Sequence, residues 1–269
     1  MRQTPPAVLV FAASDPTGGA GIQADLLTLA SLGCQPLTAL TALTVQDTCG
    51  IQRVQAIETD LLEQQARSLL ADIPIAAFKL GALGSVDNIL CIARIVSDYP
   101  GLPLILDPVL ASGRGDALAD EEMIKVLREA LIPRATVLTP NLPEARRLAG
   151  PGEEGKMEIA FCARHLLDLG ARYVLVTGTH DDTPKVANTL YGASGILRRD
   201  HWQRLPGSYH GSGCTLASAL AAYLARGTPV EEAVFRAQEY TWNALSHAFR
   251  PGKGQFIPDR LFRNHPRAE

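Results

Sequence analysis

The sequence predicts an α/β fold, a central and mostly parallel β-sheet flanked by helices on both faces. Three observations carry that prediction. Short runs rich in β-branched residues alternate with longer helical stretches, the βαβ pattern of parallel strands joined by crossover helices. Most of those short runs are apolar and bounded by polar turns, as strands covered on both faces are. Hydrophobic residues make up 46% of the 269 residues, enough to fill one large core, so a single domain over 1–269 is expected.

The elements follow in order. Ala7 to Ala12 reads as the first strand, closed by the turn-forming residues of Ser14 to Gly19. A helix over Ile22 to Leu32 has apolar residues at 22, 26 and 29 and stops at Gly33. The pattern repeats with a strand Pro36 to Val45, a helix Leu61 to Ala71, a strand Ala76 to Leu80 and a helix Ile89 to Val96. It continues with a strand Leu104 to Leu106, a helix Glu121 to Leu131 and a strand Thr136 to Leu138. A short helix, the loop Gly150 to Gly155, a helix Glu158 to Leu169 and a strand Tyr173 to Val176 come next. Then Val186 to Tyr191, Gly195 to Arg198 and Trp202 to Leu205 read as short strands split by turn residues, a small antiparallel section. Two Ala-rich helices, Cys214 to Arg226 and Val230 to Phe249, close the chain, and the tail after Gly252 is expected to pack on the surface as a loop.

Charge and cysteine usage exclude several classes. With 25 Lys and Arg scattered among 28 Asp and Glu, the net charge is -3, so the footprint of a nucleic-acid or acidic-membrane binder is absent and a small-molecule partner is expected. The cysteines at 34, 49, 91, 162 and 214 are odd in number, with no CxxC pair or ligand cluster, which argues against disulfides and structural zinc and for a reducing, cytoplasmic compartment. The apolar run near the start is too short for a signal-peptide core or a membrane span.

In a parallel sheet, ligands bind beyond the carboxyl ends of the strands, and the loops there carry unusual residues. "AASDPTGGAGIQAD" lets a ligand approach its backbone and points a helix start at it, or it is simply a turn organised by Asp15; it is neither a Walker A loop nor a clean GxGxxG. Gln46 follows a strand and can offer a donor and an acceptor to a heterocycle. Asp107, Asn141 and Glu144 suit a hydrated Mg²⁺, which takes few protein ligands, although Asn141 and Glu144 also read as a helix N-cap and its first-turn acid. In "HGSGCTLASALAAYLA", Gly211, Ser212 and Gly213 can aim successive N–H groups at one spot ahead of a helix dipole, a hole for a transferring phosphoryl group. The same dipole is expected to make Cys214 more thiolate than an ordinary cysteine, while the other four read as core or loop residues. A tyrosine-phosphatase loop would need Arg where Leu220 stands; a Cys/His hydrolase acting through His210 stays open, and His180, His201 and His265 read as loop residues.

Taken in register, "SDPTGGAGIQADL", "TALTVQDT", "KLGALG", "DPVLASGRGD", "TPNLPEA" and "HGSGCTLASALAAYLA" resemble the hydroxymethylpyrimidine/phosphomethylpyrimidine kinases of thiamine biosynthesis, from about Val8 to Gly227. The resemblance implies a ribokinase-like fold with a small β flap. It implies an ATP- and Mg²⁺-dependent kinase that phosphorylates 4-amino-5-hydroxymethyl-2-methylpyrimidine twice, and a homodimer, as is common among relatives. By that pattern Asp25 and Gln46 hydrogen-bond the pyrimidine edge, with Ala13, Ala20, Ala82 and Val109 around the ring. Asn141, Glu144, Thr177 and Gly178 serve ATP and phosphate, Asp107 and Glu144 the metal, and Gly211, Ser212, Gly213 and Cys214 the chemistry. Cys214 then stands where most ribokinase relatives carry an aspartate base, so its loss should impair alcohol phosphorylation far more than phosphate phosphorylation. Ala13 replaces a usual glycine, Ala82 a usual methionine, and Thr177 and Thr179 interrupt a usual KGGH, which removes a lysine from the nucleotide site. Pyridoxal kinase, whose substrate is a similar hydroxymethyl heteroaromatic, is the nearest alternative, a noncatalytic vitamin-binding protein a further one, and "ASGRGD" a candidate lid.

Overall fold

The computed structural model describes residues 4–113, 115–150, 158–179 and 183–264. His180, His265, Arg114 of the candidate lid and most of the expected loop at 150–155 lie outside them.

The first strand β1 (Ala7–Ser14) leads through helix α1 (Gly21–Ser31) to β2 (Gln35–Asp47), which turns into β3 (Gly50–Ala56). Helices α2 (Thr59–Asp72), α3 (Val86–Ser97) and α4 (Glu121–Ala130) alternate with β4 (Ile75–Leu80), β5 (Leu104–Leu106) and β6 (Val137–Leu138). After α5 (Leu142–Ala149) and α6 (Ile159–Asp168) come β7 (Tyr173–Thr177), β8 (Lys185–Gly192) and β9 (Gly195–Gln203). Helices α7 (Ser212–Ala225) and α8 (Val230–Ser246) follow. Among the described residues the strands form one nine-stranded sheet in the order β3-β2-β1-β4-β5-β6-β7-β8-β9. The six central strands from β2 to β7 are parallel; at one edge β3 runs antiparallel to β2, and at the other β8 runs antiparallel to both β7 and β9.

Period-two alternation divides the core between the two faces. In β1, Leu9 and Phe11 pack under α2 to α6, whereas Val8, Val10 and Ala12 pack under α1, α7 and α8. Local chemistry starts several helices: Ser85 and Asp120 cap α3 and α4 by accepting from the N–H groups of Asn88 and Met123. Helix α7 is built almost wholly of small residues, which lets it lie close to the sheet while Ala217 to Ala222 are buried.

Three expectations are corrected. The two runs expected at Gly195 to Arg198 and Trp202 to Leu205 merge into one continuous strand, β9, which ends at Gln203, because cross-strand pairing with β8 runs through Arg199 to His201, where the polar sequence looked like a turn. His201 is therefore a strand residue. The hairpin strand β3 was unforeseen, since its sequence GIQRVQA is mostly exposed and lacks the apolar run of a buried strand. The tail is not merely superficial: Gln255, Ile257 and Arg260 are buried, and Phe249 bridges back to Ile257.

Candidate active site

The carboxyl ends of the parallel strands open into a cavity of about 810 Å³. Residues after β1, β4, β5 and β7 line it, as do Gln46 of β2 and the start of α7. Ala13, Ala20, Gln46, Ala82 and Val109 line it, as do Asp107, Asn141, Glu144 and Thr177, together with Gly211, Ser212, Gly213 and Cys214. Two sequence-predicted residues are not on its wall. Asp25 is fully buried beneath it, holding the Lys79 ammonium through both oxygens at 2.9 and 3.0 Å and accepting the Ser218 hydroxyl at 2.6 Å, so it positions a cation and offers no free edge to a pyrimidine. Gly178 donates its N–H to Asn188 Oδ1, and a Cβ there would fall 2.2 Å from the Ala187 carbonyl; it is glycine so that β7 and β8 can approach.

The glycine-rich loop after β1 is organised by Asp15. Its carboxylate accepts the N–H groups of Thr17 and Ala20 at 2.8 and 2.7 Å, the Thr17 hydroxyl at 2.9 Å, and lies 2.9 Å from His210 Nε2. Burial by itself would raise this carboxyl, but the hydrogen bonds, that to His210 foremost, hold it below the ordinary carboxylate range. A depressed pKa stabilises the fold above the unfolded value and ceases to do so as pH falls through the folded one. Asp15→Asn is therefore expected to lower the unfolding free energy by an amount that is constant from pH 7 to about pH 5 and narrows below 3.8, read by urea unfolding against pH. A constant difference throughout would contradict it.

His210 Nε2 is thus paired with Asp15 rather than with the Cys214 thiol. The Cys214 expectation is also corrected. Burial pushes its thiol up to about 12; the Lys79 ammonium and the Gly21 N–H pull it down, while Asp107 and Asp25 push it further up. Two helix starts and a lysine are outweighed because the half-buried thiol at the cavity wall is largely desolvated, so Cys214 is a neutral thiol at neutral pH. Cys34, Cys91 and Cys162 are buried and Cys49 is exposed, as read from their surroundings in the chain.

Lys79 was missed as a site residue. It lines the cavity yet is fully buried, in strand β4. The available signal was a lysine inside a strand whose other residues are apolar, where no solvated face exists to receive it.

The carboxylate rim is strongly perturbed. Burial raises Asp107 to about 6, with Asp25 adding to the shift and Lys79 and a hydrogen bond from Cys214 opposing it. Burial raises Glu144 to about 8, and the Asp107 charge contributes. Asn141 and Glu144 do form the capping box of α5, at 2.9 Å in each direction, and Glu144 also accepts the Leu110 N–H. Asp107 Oδ2 is buried without any hydrogen-bond partner. An orphaned hard oxygen beside a second buried carboxylate fits a hydrated Mg²⁺. Among the described residues no cluster of three or more His, Cys, Asp or Glu could enclose a metal. A Cβ on Gly213 would lie 3.8 Å from both Asp107 oxygens, so the α7 start directly faces this rim.

Parallel strands that end at one cavity, with a glycine-led helix start opposite paired carboxylates, define a small-molecule kinase of the ribokinase-like class. A family profile described as phosphomethylpyrimidine kinase matches residues 15–259. The chain belongs to that family. It is 38% identical over 255 residues to the hydroxymethylpyrimidine/phosphomethylpyrimidine kinase of Streptomyces coelicolor, covering 93% of each chain. It is 38% identical over 247 residues to the thiamine biosynthesis bifunctional protein ThiED of Geobacter sulfurreducens, covering 92% of this chain and half of that longer protein. Among solved structures, the ADP complex of Bacillus subtilis pyridoxal kinase matches with a TM-score of 0.88 at 31% identity, over 97% of this chain and all of that one. Phosphomethylpyrimidine kinase from Clostridium difficile matches at 0.77 with 33% identity, over 89% and 99%.

Proposed function

We propose that the protein transfers a phosphoryl group from ATP to the hydroxymethyl group of 4-amino-5-hydroxymethyl-2-methylpyrimidine, and then a second to the resulting phosphate, for thiamine biosynthesis. The observation that carries this reading is the juxtaposition of the Gly211–Gly213 helix start with the unpartnered Asp107 oxygen across one cavity. The helix start receives the transferring phosphoryl charge. Asp107 and Glu144 would hold Mg²⁺, which would supply neutralising charge on the phosphates. Gln46 reads the pyrimidine edge, with Ala13, Ala20, Ala82 and Val109 against the ring, while Asn141 and Thr177 stand on the phosphate side. The apolar residues Val186, Leu205, Trp242 and Leu245 of the cavity lining suit the nucleotide base.

A neutral Cys214 has no resting thiolate to take a proton. In a loose transition state the alcohol loses its proton late, so orientation suffices, and Cys214 holds the hydroxyl in line. Free cysteines and the absence of a helix long and apolar enough to cross a membrane among the described residues support a cytoplasmic setting. Exposed Leu43, Val45 and Val54 on the β2–β3 hairpin support pairing of two single-domain chains.

The test is ADP release with the pyrimidine alcohol, its monophosphate and pyridoxal as separate acceptors. Turnover of the first two is expected, and nucleotide consumption with neither would end the reading. In the same assay Cys214→Ala should slow the alcohol step about tenfold, the worth of one oriented hydrogen bond, and leave the phosphate step within a factor of about two. A loss of about 10²- to 10⁴-fold would instead make the thiol a true base.

A further inference from the structure

Arg260 lies one residue beyond the stretch that the family profile matches, in the carboxyl-terminal segment, yet it is only 2% exposed. Its guanidinium joins two loops. Nε donates to Thr215 Oγ1 in the first turn of α7 at 3.0 Å, and Nη1 donates to the Gly18 carbonyl at 3.3 Å. Nη2 donates to the Gly19 carbonyl and, at 3.5 Å, to that of Gly211. The Thr215 hydroxyl itself donates to the Gly211 carbonyl at 2.8 Å, which completes the bridge.

The opposite side of the same glycine loop is held by the opposite charge. Asp15 takes its N–H groups and reaches His210, the residue before Gly211. Carbonyls of the loop therefore go to a cation and its amides to an anion, and each ion also grips the segment that carries the anion hole. Where the two segments meet they touch backbone to backbone: a Cβ on Gly211, whose φ is +76°, would fall 2.0 Å from the Gly19 carbonyl oxygen. The base of the arginine is fixed as well, since the Tyr240 hydroxyl donates to the Arg260 carbonyl and contacts Ser31 Oγ, both at 2.6 Å. A guanidinium buried against carbonyls and a hydroxyl is expensive to desolvate, and a lysine cannot present the planar fork that spans both loops.

We propose that Arg260 is a positioning residue that sets the register between the loop seating the acceptor at Ala20 and the helix start receiving the phosphoryl group. It does not line the cavity, and the inference rests on the kinase reading above. Because both steps use the same hole, its loss acts on both, unlike the loss of Cys214.

The experiment compares wild type, Arg260→Lys and Arg260→Ala for the rate of each step and for thermal unfolding. A misplacement near 1 Å is worth roughly 10²-fold, so Arg260→Lys should fold and lose about 10- to 100-fold in kcat on both acceptors. KM for each acceptor should stay within about threefold. Millimolar methylguanidinium should restore part of the Arg260→Ala activity where sodium chloride of equal ionic strength does not. Should Arg260→Ala not fold, Arg260→Lys decides alone. Wild-type kcat in Arg260→Lys, a loss that merely tracks the unfolded fraction, or a change in KM alone would each overturn the proposal. An inactive wild type would remove the kinase reading and this inference together, whereas an active wild type matched by Arg260→Lys removes only the inference.

Discussion

Lys79→Met is expected to lower the unfolding free energy by about 3–5 kcal/mol and to abolish detectable phosphoryl transfer. The ammonium is fully buried with both Asp25 oxygens on it, and the Asp107 carboxylate also acts on its charge. Burial by itself would strip its proton, but Asp25 chiefly, with Asp107 adding to it, raises its pKa above the ordinary lysine value, so it stays charged. Removing it leaves Asp25 buried with only the Ser218 hydroxyl, an uncompensated charge in a low-dielectric site. In a chain this long the unfolding temperature should fall by roughly 10 °C. The double variant Lys79→Met/Asp25→Leu separates fold from function. Replacing both partners by apolar groups should recover most of the stability, while activity stays lost because the cation beside Cys214 and Asp107 is gone. Urea unfolding and ADP release measure the two effects, and a single variant as stable as wild type would refute the argument.

Asp107→Asn should do the reverse, gaining stability as it loses activity. Its buried Oδ2 has no partner and its pKa is raised to about 6, so at neutral pH its charged form opposes folding. The sign follows from linkage. A raised carboxyl supports the fold below its unfolded value of 3.8, and that support is lost as pH rises through about 6. With EDTA present, the variant should therefore exceed wild type by about 1–3 kcal/mol above pH 6, and the difference should disappear towards pH 4. Both phosphorylation steps should fall about 10²- to 10³-fold in kcat, the usual effect of deleting one preorganised electrostatic group. Such a trade-off is expected where function requires a charge the fold would sooner exclude. A variant less stable than wild type at pH 8 would contradict this account of the site.

Much of the fold was legible because its signals are local. Most central strands are apolar runs and the crossover helices carry their own periodicity, so element order and the parallel sheet could be read directly. The rim residues Asp107, Asn141 and Glu144 were legible for a related reason, since polar residues directly after buried strands must stand at the sheet's carboxyl edge. The hairpin strand β3 and the continuity of β9 were not, because exposed edge strands owe their form to the partner strand rather than to their own composition.

The sequence by itself determined the order of elements, the position of the glycine-led helix start and the carboxylate rim, because each depends on neighbours a few residues away. Only the tertiary structure decided the electrostatics. Helix-start logic marks Cys214 for a thiolate, yet desolvation beside Asp107 and Asp25 raises it to about 12. Asp25 looked free to bind substrate until Lys79, 54 residues away, claimed it, and Arg260 looked like a surface tail residue until it was found 241 residues from its Gly19 contact. Desolvation and Coulomb forces depend on distances in space, and the chain encodes those only once every layer has packed.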